Sequence, residues 1–377
     1  MKKLLYSSSS HDANMLYAVK VEIPDPFYFL DLGAGEKKYI FLDAREYGVF
    51  QEANTNPLIE CVLTNALGDE LKKISVPAGS SRGARLGAYI AQKYALLNEP
   101  VAVPSIFPLQ LADELRACGM TLQPTEQLYP ERLTKRDDEV TKIEDALKRT
   151  HSAFKRIEEI LRASKIEGDV VMYKGKPLTS ELLKLEVERA FVEVGVMNVE
   201  GIIISCGPHA AIPHHRGAGV IRAHQTIICD IFPRNMATGY FADMTRTYVK
   251  GEPSTELRKM YDAVKLAQER GIAAARPGVA GKDVHQACVD TFAEHGFVTT
   301  PDEGFIHGTG HGLGLDVHEL PYAAAGQAML LHKGNVITVE PGLYYPKYGG
   351  VRIEDVIVIT DTGARNLTNY HKEWIIA

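Results

Sequence analysis

The chain has 377 residues, of which 45% are hydrophobic and 24% are charged, the mixture of an ordinary globular protein. Its 42 basic and 48 acidic side chains give a net charge of −6, which argues against a nucleic-acid partner bound on a broad basic face. Because no apolar run approaches the roughly 20 residues that span a bilayer, and the first apolar stretch is too short for a signal peptide, we expect a cytoplasmic protein with no membrane partner.

The amino-terminal third alternates strand-like and helix-like segments. Strands are predicted at residues 15–21, 38–42 and 101–103, and helices at residues 83–97 and 108–118. This alternation predicts a small α/β domain. The polar segment 129–139 contains a proline and marks the boundary, so the predicted domains are residues 1–134 and 135–377.

The larger domain begins with a long amphipathic helix, whose apolar stripe runs from Val140 to Leu161. Further helices are predicted at residues 254–275 and 282–295, each followed by a glycine turn signal. Strands are predicted in two hairpin-like pairs, at residues 225–231, 239–248, 336–345 and 351–359. The pattern indicates an α+β domain built on an antiparallel sheet.

Four carboxylates interrupt the apolar strands of this domain: Asp230, Asp243, Glu340 and Glu354. A buried carboxylate costs several kcal/mol unless it is paired or binds a metal. One alone would usually be a satisfied core acid, but four within two hairpins need a common countercharge. Residues opposite each other in a hairpin have Cβ atoms about 4.5–5.5 Å apart, so Asp230 can face Asp243 and Glu340 can face Glu354. Such pairs indicate a cation between them.

Residues 305–319 place three histidines, His307, His311 and His318, among four glycines. A lone histidine would more often be structural, but beside four strand acids a metal role is favoured. Four carboxylates with one neutral imidazole carry four negative charges, which two divalent ions balance. Oxygen-rich ligation with one nitrogen suits Mn²⁺, Co²⁺, Fe²⁺ or Zn²⁺, and the five scattered cysteines offer no thiolate zinc site.

The order Asp, Asp, His, Glu, Glu resembles the pita-bread metallopeptidase family, which contains methionine aminopeptidase, aminopeptidase P and prolidase. The segments that carry the resemblance are residues 212–215, 243–247, 307–314, 317–321, 340–342 and 352–355. The resemblance implies a pita-bread catalytic domain preceded by a smaller α/β domain. Prolidases and aminopeptidases P have this extra domain, whereas methionine aminopeptidases lack it. Relatives with the extra domain are commonly dimers, so a homodimer is implied.

Carried over residue by residue, the resemblance implies five ligands for two divalent ions, with Mn²⁺ as the expected metal. These ligands are Asp230, Asp243, His311, Glu340 and Glu354. Asp243 and Glu354 would bridge both ions, and Glu340 would also serve as general base.

Four further residues match the family's substrate pocket. His214 and His318 correspond to substrate-contacting histidines, and His307 lines the same pocket. Arg352 corresponds to an arginine two positions before the last ligand. Period-2 alternation puts it on the face of Glu354, where it could orient that carboxylate or the substrate.

Two features depart from the family's pattern. Asp230 and Asp243 stand thirteen residues apart, which is longer than the usual spacing, and Phe232 replaces a small residue. Both changes can lie at the hairpin tip, where they would alter the pocket wall and leave the ligands facing each other.

The function implied is hydrolysis of the bond between an amino-terminal residue and proline. Segment 320–331 has no arginine or lysine to bind the free carboxylate of a dipeptide, so the sequence favours an aminopeptidase P acting on Xaa-Pro-Yaa. A prolidase remains open if Arg352, the amino-terminal domain or a second subunit supplies that charge. A metal-free creatinase-like hydrolase and a non-enzymatic binding module are remoter alternatives, because such relatives have lost ligands that are all present here.

Overall fold

The computed structural model describes all residues from Met1 to Ala377, and the chain forms two compact units, Met1–Pro130 and Glu131–Ala377. No helix combines the length and the apolar character that crossing a membrane requires.

The smaller unit is an α/β domain around one six-stranded mixed sheet. Its strands are β1 (Lys3–Ser7), β2 (Phe27–Asp31), β3 (Lys38–Leu42), β4 (Ile59–Leu63), β5 (Pro100–Pro104) and β6 (Thr121–Thr125), in the order β4-β3-β2-β1-β5-β6. Its helices are α1 (Ala13–Val19), α2 (Ala44–Ala53), α3 (Gly68–Lys72), α4 (Arg82–Lys93) and α5 (Leu109–Ala117). Leu4 and Leu5 enter different apolar clusters on opposite faces of the sheet, as strand alternation requires.

Most elements predicted for this unit are confirmed, but the strand predicted at residues 15–21 is wrong. Those residues form α1 and the turn after it. The Asp12 side chain accepts hydrogen bonds from the backbone N–H groups of Asn14 and Met15, and Lys20 ends the helix in the left-handed conformation at φ 60°. Local capping therefore decides the conformation against the β-branched and aromatic composition.

The larger unit contains four long helices and sixteen short strands. The helices are α6 (Asp137–Ala163), α7 (Ser180–Val194), α8 (Thr255–Ala274) and α9 (Gly281–Glu294). The strands are β7 (Lys165–Glu167), β8 (Val170–Tyr173), β9 (Lys176–Pro177), β10 (Val196–Met197), β11 (Ile202–Cys206), β12 (Thr226–Ile231), β13 (Arg234–Asn235), β14 (Met244–Lys250), β15 (Gly310–Gly312), β16 (Glu319–Ala323), β17 (Val336–Val339), β18 (Gly342–Tyr345), β19 (Gly349–Arg352), β20 (Asp355–Ile359), β21 (Ala364–Asn366) and β22 (Ile375–Ile376).

Two sheets carry the core of this unit, in the orders β11-β12-β14-β22 and β16-β15-β17-β20-β21, and nearly every strand pair is antiparallel. The one parallel pair in them joins β14 to β22. The predicted helices at the start of the unit and at residues 254–275 and 282–295 are confirmed. The apolar stripe of α6 packs with α7 against β11, β12 and β14.

Each of the last two predicted strands is divided in two. The chain leaves the five-stranded sheet after Val339 and enters the separate β18–β19 hairpin at Gly342. It returns between Arg352 and Asp355. Pro341 has no backbone N–H to donate to a ladder, which accounts for the first break. Glu340 and Glu354 stand at these two breaks.

Candidate metal centre

The two acidic hairpins differ in register. Asp230 lies opposite Thr245 in the β12–β14 pair, so Asp243, just before β14, is diagonal to Asp230 and does not face it directly. In the other hairpin, Val339 pairs with Asp355 and Gly342 pairs with Arg352. The same register sets Glu340 against Glu354, as the sequence predicts.

His311 reaches the carboxylates from the short strand β15. The strand can lie this close to its neighbours because glycines flank the histidine: a Cβ on Gly310 would be 1.9 Å from the carbonyl oxygen of Thr338. The His311 Nδ1–H donates to the Gly312 carbonyl at 3.1 Å, which turns Nε2 toward the acids. Nε2 lies 3.2 Å from Glu340 Oε1 and 3.7 Å from Asp243 Oδ2.

All nine residues that the sequence assigns to the site line one cavity of about 490 Å³. They are Asp230, Asp243, His311, Glu340, Glu354, His214, His307, His318 and Arg352. Within the group, Asp243, His311 and Glu354 are buried and offer ligand atoms within 4.8 Å of one another. The structure therefore brings together side chains that are up to 140 positions apart in the chain.

Two carboxylate oxygens in the cluster have no hydrogen-bond donor. Asp243 Oδ1 and Glu354 Oε1 are both buried and unpartnered, although Thr245 donates its hydroxyl to the other Glu354 oxygen at 2.8 Å. Burial, and then the neighbouring carboxylates, raise the pKa of Asp243 and of Glu354 well above the ordinary range. Buried acceptors without donors lower the stability of the fold unless a cation binds them. Four carboxylates with one imidazole nitrogen fit a hard or borderline divalent cation.

Glu340 differs from these two acids because His311 is its partner. Burial opposes its ionisation, but the hydrogen bond and charge of His311 outweigh burial and lower the pKa of Glu340. The Thr338 hydroxyl also donates to Glu340 Oε1 at 3.2 Å. Glu340 is therefore more readily held as a carboxylate than Asp243 or Glu354.

Arg352 contacts Asp230 and not Glu354, which the sequence suggested as its partner. Its guanidinium donates to Asp230 Oδ2 at 2.7 Å and to the Tyr344 hydroxyl at 2.7 Å. The reach to Glu354 is indirect, through Thr245, whose hydroxyl accepts from Arg352 Nε at 3.4 Å. Arg352 thus fixes the first acid of the cluster.

The Tyr344 hydroxyl links Arg352 to His307 by hydrogen bonds, and the sequence did not predict this role for Tyr344. The His307 Nδ1–H donates to the Gly308 carbonyl at 2.7 Å, so its Nε2 accepts from the Tyr344 hydroxyl at 2.9 Å. Burial lowers the pKa of His307 to about 4, which keeps the ring neutral. The only sequence signal for Tyr344 was its place on a predicted strand beside Glu340.

The two remaining histidines lie at different depths. The His318 ring is 4.3 Å from the His311 ring, centroid to centroid, and burial followed by the charge of His311 lowers the pKa of His318. His214 is exposed at the cavity wall. Both can reach a molecule that enters the cavity.

The longer turn between the two aspartates is itself ordered. Arg234–Asn235 pairs with Val196–Met197, and the Asn235 side chain accepts hydrogen bonds from the backbone N–H groups of Ala237 and Thr238. The additional residues thus close a small turn beyond the ligands. Phe232 lines the cavity.

Comparisons with known proteins agree with this geometry. Residues 141–361 match metallopeptidase family M24. A probable dipeptidase, PepE, of Mycobacterium bovis is 34% identical over 280 residues, which cover 73% of this chain and 68% of that protein. The Xaa-Pro dipeptidase of Pyrococcus furiosus is 35% identical over 245 residues, which cover 62% of this chain and 68% of that protein.

The fold is shared over the whole chain. The structure of an Xaa-Pro dipeptidase from Bacillus anthracis superposes with a TM-score of 0.81 at 25% identity, covering 100% of this chain and 95% of that one. The chain therefore belongs to metallopeptidase family M24, as a metal-dependent peptidase whose larger unit has the pita-bread fold.

Proposed function

We propose that this protein hydrolyses the bond between an amino-terminal residue and proline, with Xaa-Pro dipeptides as its principal substrates. The observation that carries the proposal is the cluster of four acids and His311, in which Asp243 and Glu354 each keep an unpartnered oxygen. The relatives named dipeptidase and Xaa-Pro dipeptidase support the substrate class.

Five residues would hold two divalent ions: Asp230, Asp243, His311, Glu340 and Glu354. When bound, divalent ions in such a centre supply Lewis-acid polarisation of the scissile carbonyl and activation of water. Mn²⁺ is the metal we propose, since the ligand set is oxygen-rich and has no thiolate. Asp243 and Glu354 would be central ligands in this proposal, because each has a buried oxygen free of protein donors.

The protein's own groups would then move the proton and steady the developing charge. Glu340, which faces the same cavity, would accept the proton of the attacking water. His318 and His214 would donate hydrogen bonds to the oxygen on which negative charge develops, or pass the proton to the proline nitrogen of the leaving group. Neutral His307, held by Tyr344, lines the pocket beside them. Arg352 keeps Asp230 oriented as a ligand.

The second candidate is an aminopeptidase P that accepts Xaa-Pro-Yaa and longer peptides. The absence of a basic residue in segment 320–331 favours it. The names of the relatives with more than 30% identity favour the dipeptidase.

Hydrolysis assays with and without metal test the proposal. We expect the Mn²⁺-loaded protein to cleave Xaa-Pro, to leave Xaa-Ala largely intact and to lose activity on chelation. Asp361→Asn, at an exposed pair with Lys333, serves as a control that should retain activity. Activity that survives complete metal removal would indicate the metal-free hydrolase, and no hydrolysis of any Xaa-Pro substrate by the loaded protein would indicate a binding module.

A further inference from the structure

The cavity wall contains two arginines with different surroundings. Arg352 is buried and fully engaged by Asp230, Tyr344 and Thr245. Arg216 also lines the cavity, but it is exposed and its guanidinium donates only to the backbone carbonyl of Glu200, at 2.7 Å. Arg216 therefore presents a positive charge that no protein carboxylate neutralises.

The backbone around Arg216 is fixed although its side chain is exposed. Its carbonyl accepts from the Ile204 N–H at 3.1 Å, which ties the segment to β11. The next residue, Gly217, has φ +79°, and a Cβ there would be 1.7 Å from the Ile204 carbonyl oxygen. Lys184 donates to the Gly217 carbonyl at 2.9 Å and brings a second positive charge to the same segment.

The guanidinium itself lies across Gly201. A Cβ at Gly201 would be 2.3 Å from an Arg216 terminal nitrogen, so only glycine leaves room for this position of the side chain. The strand that follows, β11, pairs with β12, and Ile203 lies opposite the ligand Asp230. Arg216 is therefore held beside β11, whose partner strand carries Asp230, and it forms part of the cavity wall.

Segment 320–331 adds no positive charge to the cavity. Segment 320–331 contributes Tyr322 and Ala324 to the cavity lining and has no arginine or lysine. A dipeptide carries its free carboxylate one residue from the scissile bond, within the same cavity as the metal centre. Guanidinium groups bind carboxylates with two parallel charge-assisted hydrogen bonds.

We infer that Arg216 binds the free carboxylate of the substrate and thereby selects dipeptides over longer peptides. This inference rests on the proposed function and deepens it, because it names the residue that determines substrate length. It also accounts for a dipeptidase whose segment 320–331 has no basic residue.

The test compares kcat/KM for Xaa-Pro with kcat/KM for the Xaa-Pro amide, which lacks the carboxylate, in the Mn²⁺-loaded full chain. We expect the wild type to prefer the free acid. Arg216→Ala should lower this preference about ten- to a hundredfold, chiefly through a higher KM for Xaa-Pro, since charge-assisted hydrogen bonds are lost. Arg216→Lys should retain part of the preference, because it keeps the charge and loses the two-pronged geometry.

Arg222→Ala is the matched control, since Arg222 lies on the same segment but pairs with Asp169 at 2.8 Å. It should keep the wild-type preference. An unchanged preference in a folded Arg216→Ala protein would overturn the role of Arg216 while leaving the proposed function intact. A wild type that cleaves neither Xaa-Pro nor its amide would overturn both.

Discussion

Glu354 and Asp355 are neighbours in the chain, yet their carboxylates have opposite surroundings. Asp355 is compensated: it accepts from Arg246, Lys372 and Asn366, each at 2.8 Å. Although burial opposes its ionisation, the charges of Arg246 and Lys372 lower the pKa of Asp355.

Glu354, at the break just before β20, has a single donor: the Thr245 hydroxyl donates to its Oε2, and its Oε1 has no donor. Burial and the nearby carboxylates raise its pKa. Both acids are about 1% exposed, so burial does not distinguish them. The candidate metal site therefore differs from the structural ion pair in its shortage of positively charged partners.

Removing one carboxylate of the metal centre should have the largest effect. We expect Asp243→Asn and Glu354→Gln to abolish turnover, because each substitution removes a negative charge that would hold the divalent ions. Metal analysis of the purified variants should show lost ions, whereas Asp355→Asn, one residue away, should retain them. Full metal content in Glu354→Gln would remove the distinction between the two acids.

The next largest effect distinguishes His318, which we expect to contact the substrate, from His311, which we expect to bind metal. His318→Ala should keep two ions per chain and lower kcat by about 10²–10⁴-fold, the usual scale for a lost proton-transfer group. His311→Ala is the matched comparison and should lose metal. If His318→Ala lost its metal instead, the assignment of the two histidines would be reversed.

The four acids of the centre could be predicted from sequence, because buried carboxylates in apolar strands require a counter-charge. The histidines were predicted from the glycine-rich segment 305–319 and from the family resemblance. The partners of these residues could not be predicted. Thr245 and Tyr344 look like ordinary strand residues, and only the register and the β18–β19 hairpin bring them to Glu354 and Arg352. Of the two partners suggested for Arg352, Glu354 or the substrate, Glu354 was wrong for the same reason. Strand alternation predicts the face on which a side chain lies and not the group that it contacts.

The effect of local helix capping was similarly hard to predict in the smaller unit. The composition of residues 15–21 favoured a strand, but the Asp12 cap forms a helix there. Long amphipathic helices such as α6 were predictable, because their periodicity repeats over many turns.

Neutralising Asp355, which pairs with Arg246 and Lys372, should lower the free energy of unfolding more than it lowers activity. Asp355→Asn leaves Arg246 and Lys372 facing a neutral group, and removing one partner of a buried pair costs about 3–5 kcal/mol. We expect urea unfolding to show this loss with metal still bound. A cost under about 1 kcal/mol, the range of exposed pairs, would contradict the buried ion pair.

Bound metal should stabilise the folded protein by mass action, because it supplies the positive charge that Asp243 and Glu354 lack. At a free Mn²⁺ concentration of 100 times Kd, the gain in the free energy of unfolding is about 2.7 kcal/mol per site. Thermal melting with and without Mn²⁺ should show a rise in Tm for the wild type and none for Glu354→Gln. Equal rises in the two proteins would place the stabilising ion elsewhere.

The smallest expected effect concerns His151, whose pKa responds to the charges of Arg246 and Asp355. Burial lowers its pKa, and this effect outweighs the opposing hydrogen bond to the Thr368 carbonyl at 2.7 Å, while the charge of Arg246 lowers the pKa further. The unfolded chain therefore binds the proton more readily, so the stability that neutral His151 provides is present above about pH 6.5 and decreases as pH falls. The Tm advantage of the wild type over His151→Gln should shrink between pH 7.5 and 5.5, and a constant difference would contradict the shift.

The most direct test of the account is the metal stoichiometry of the protein, measured together with Xaa-Pro hydrolysis through one cycle of chelation and Mn²⁺ addition. We predict two divalent ions per chain, loss of hydrolysis when they are removed, and recovery as both return. Full hydrolysis by the metal-free protein, or two ions retained after Asp243 and Glu354 are both neutralised, would contradict the account.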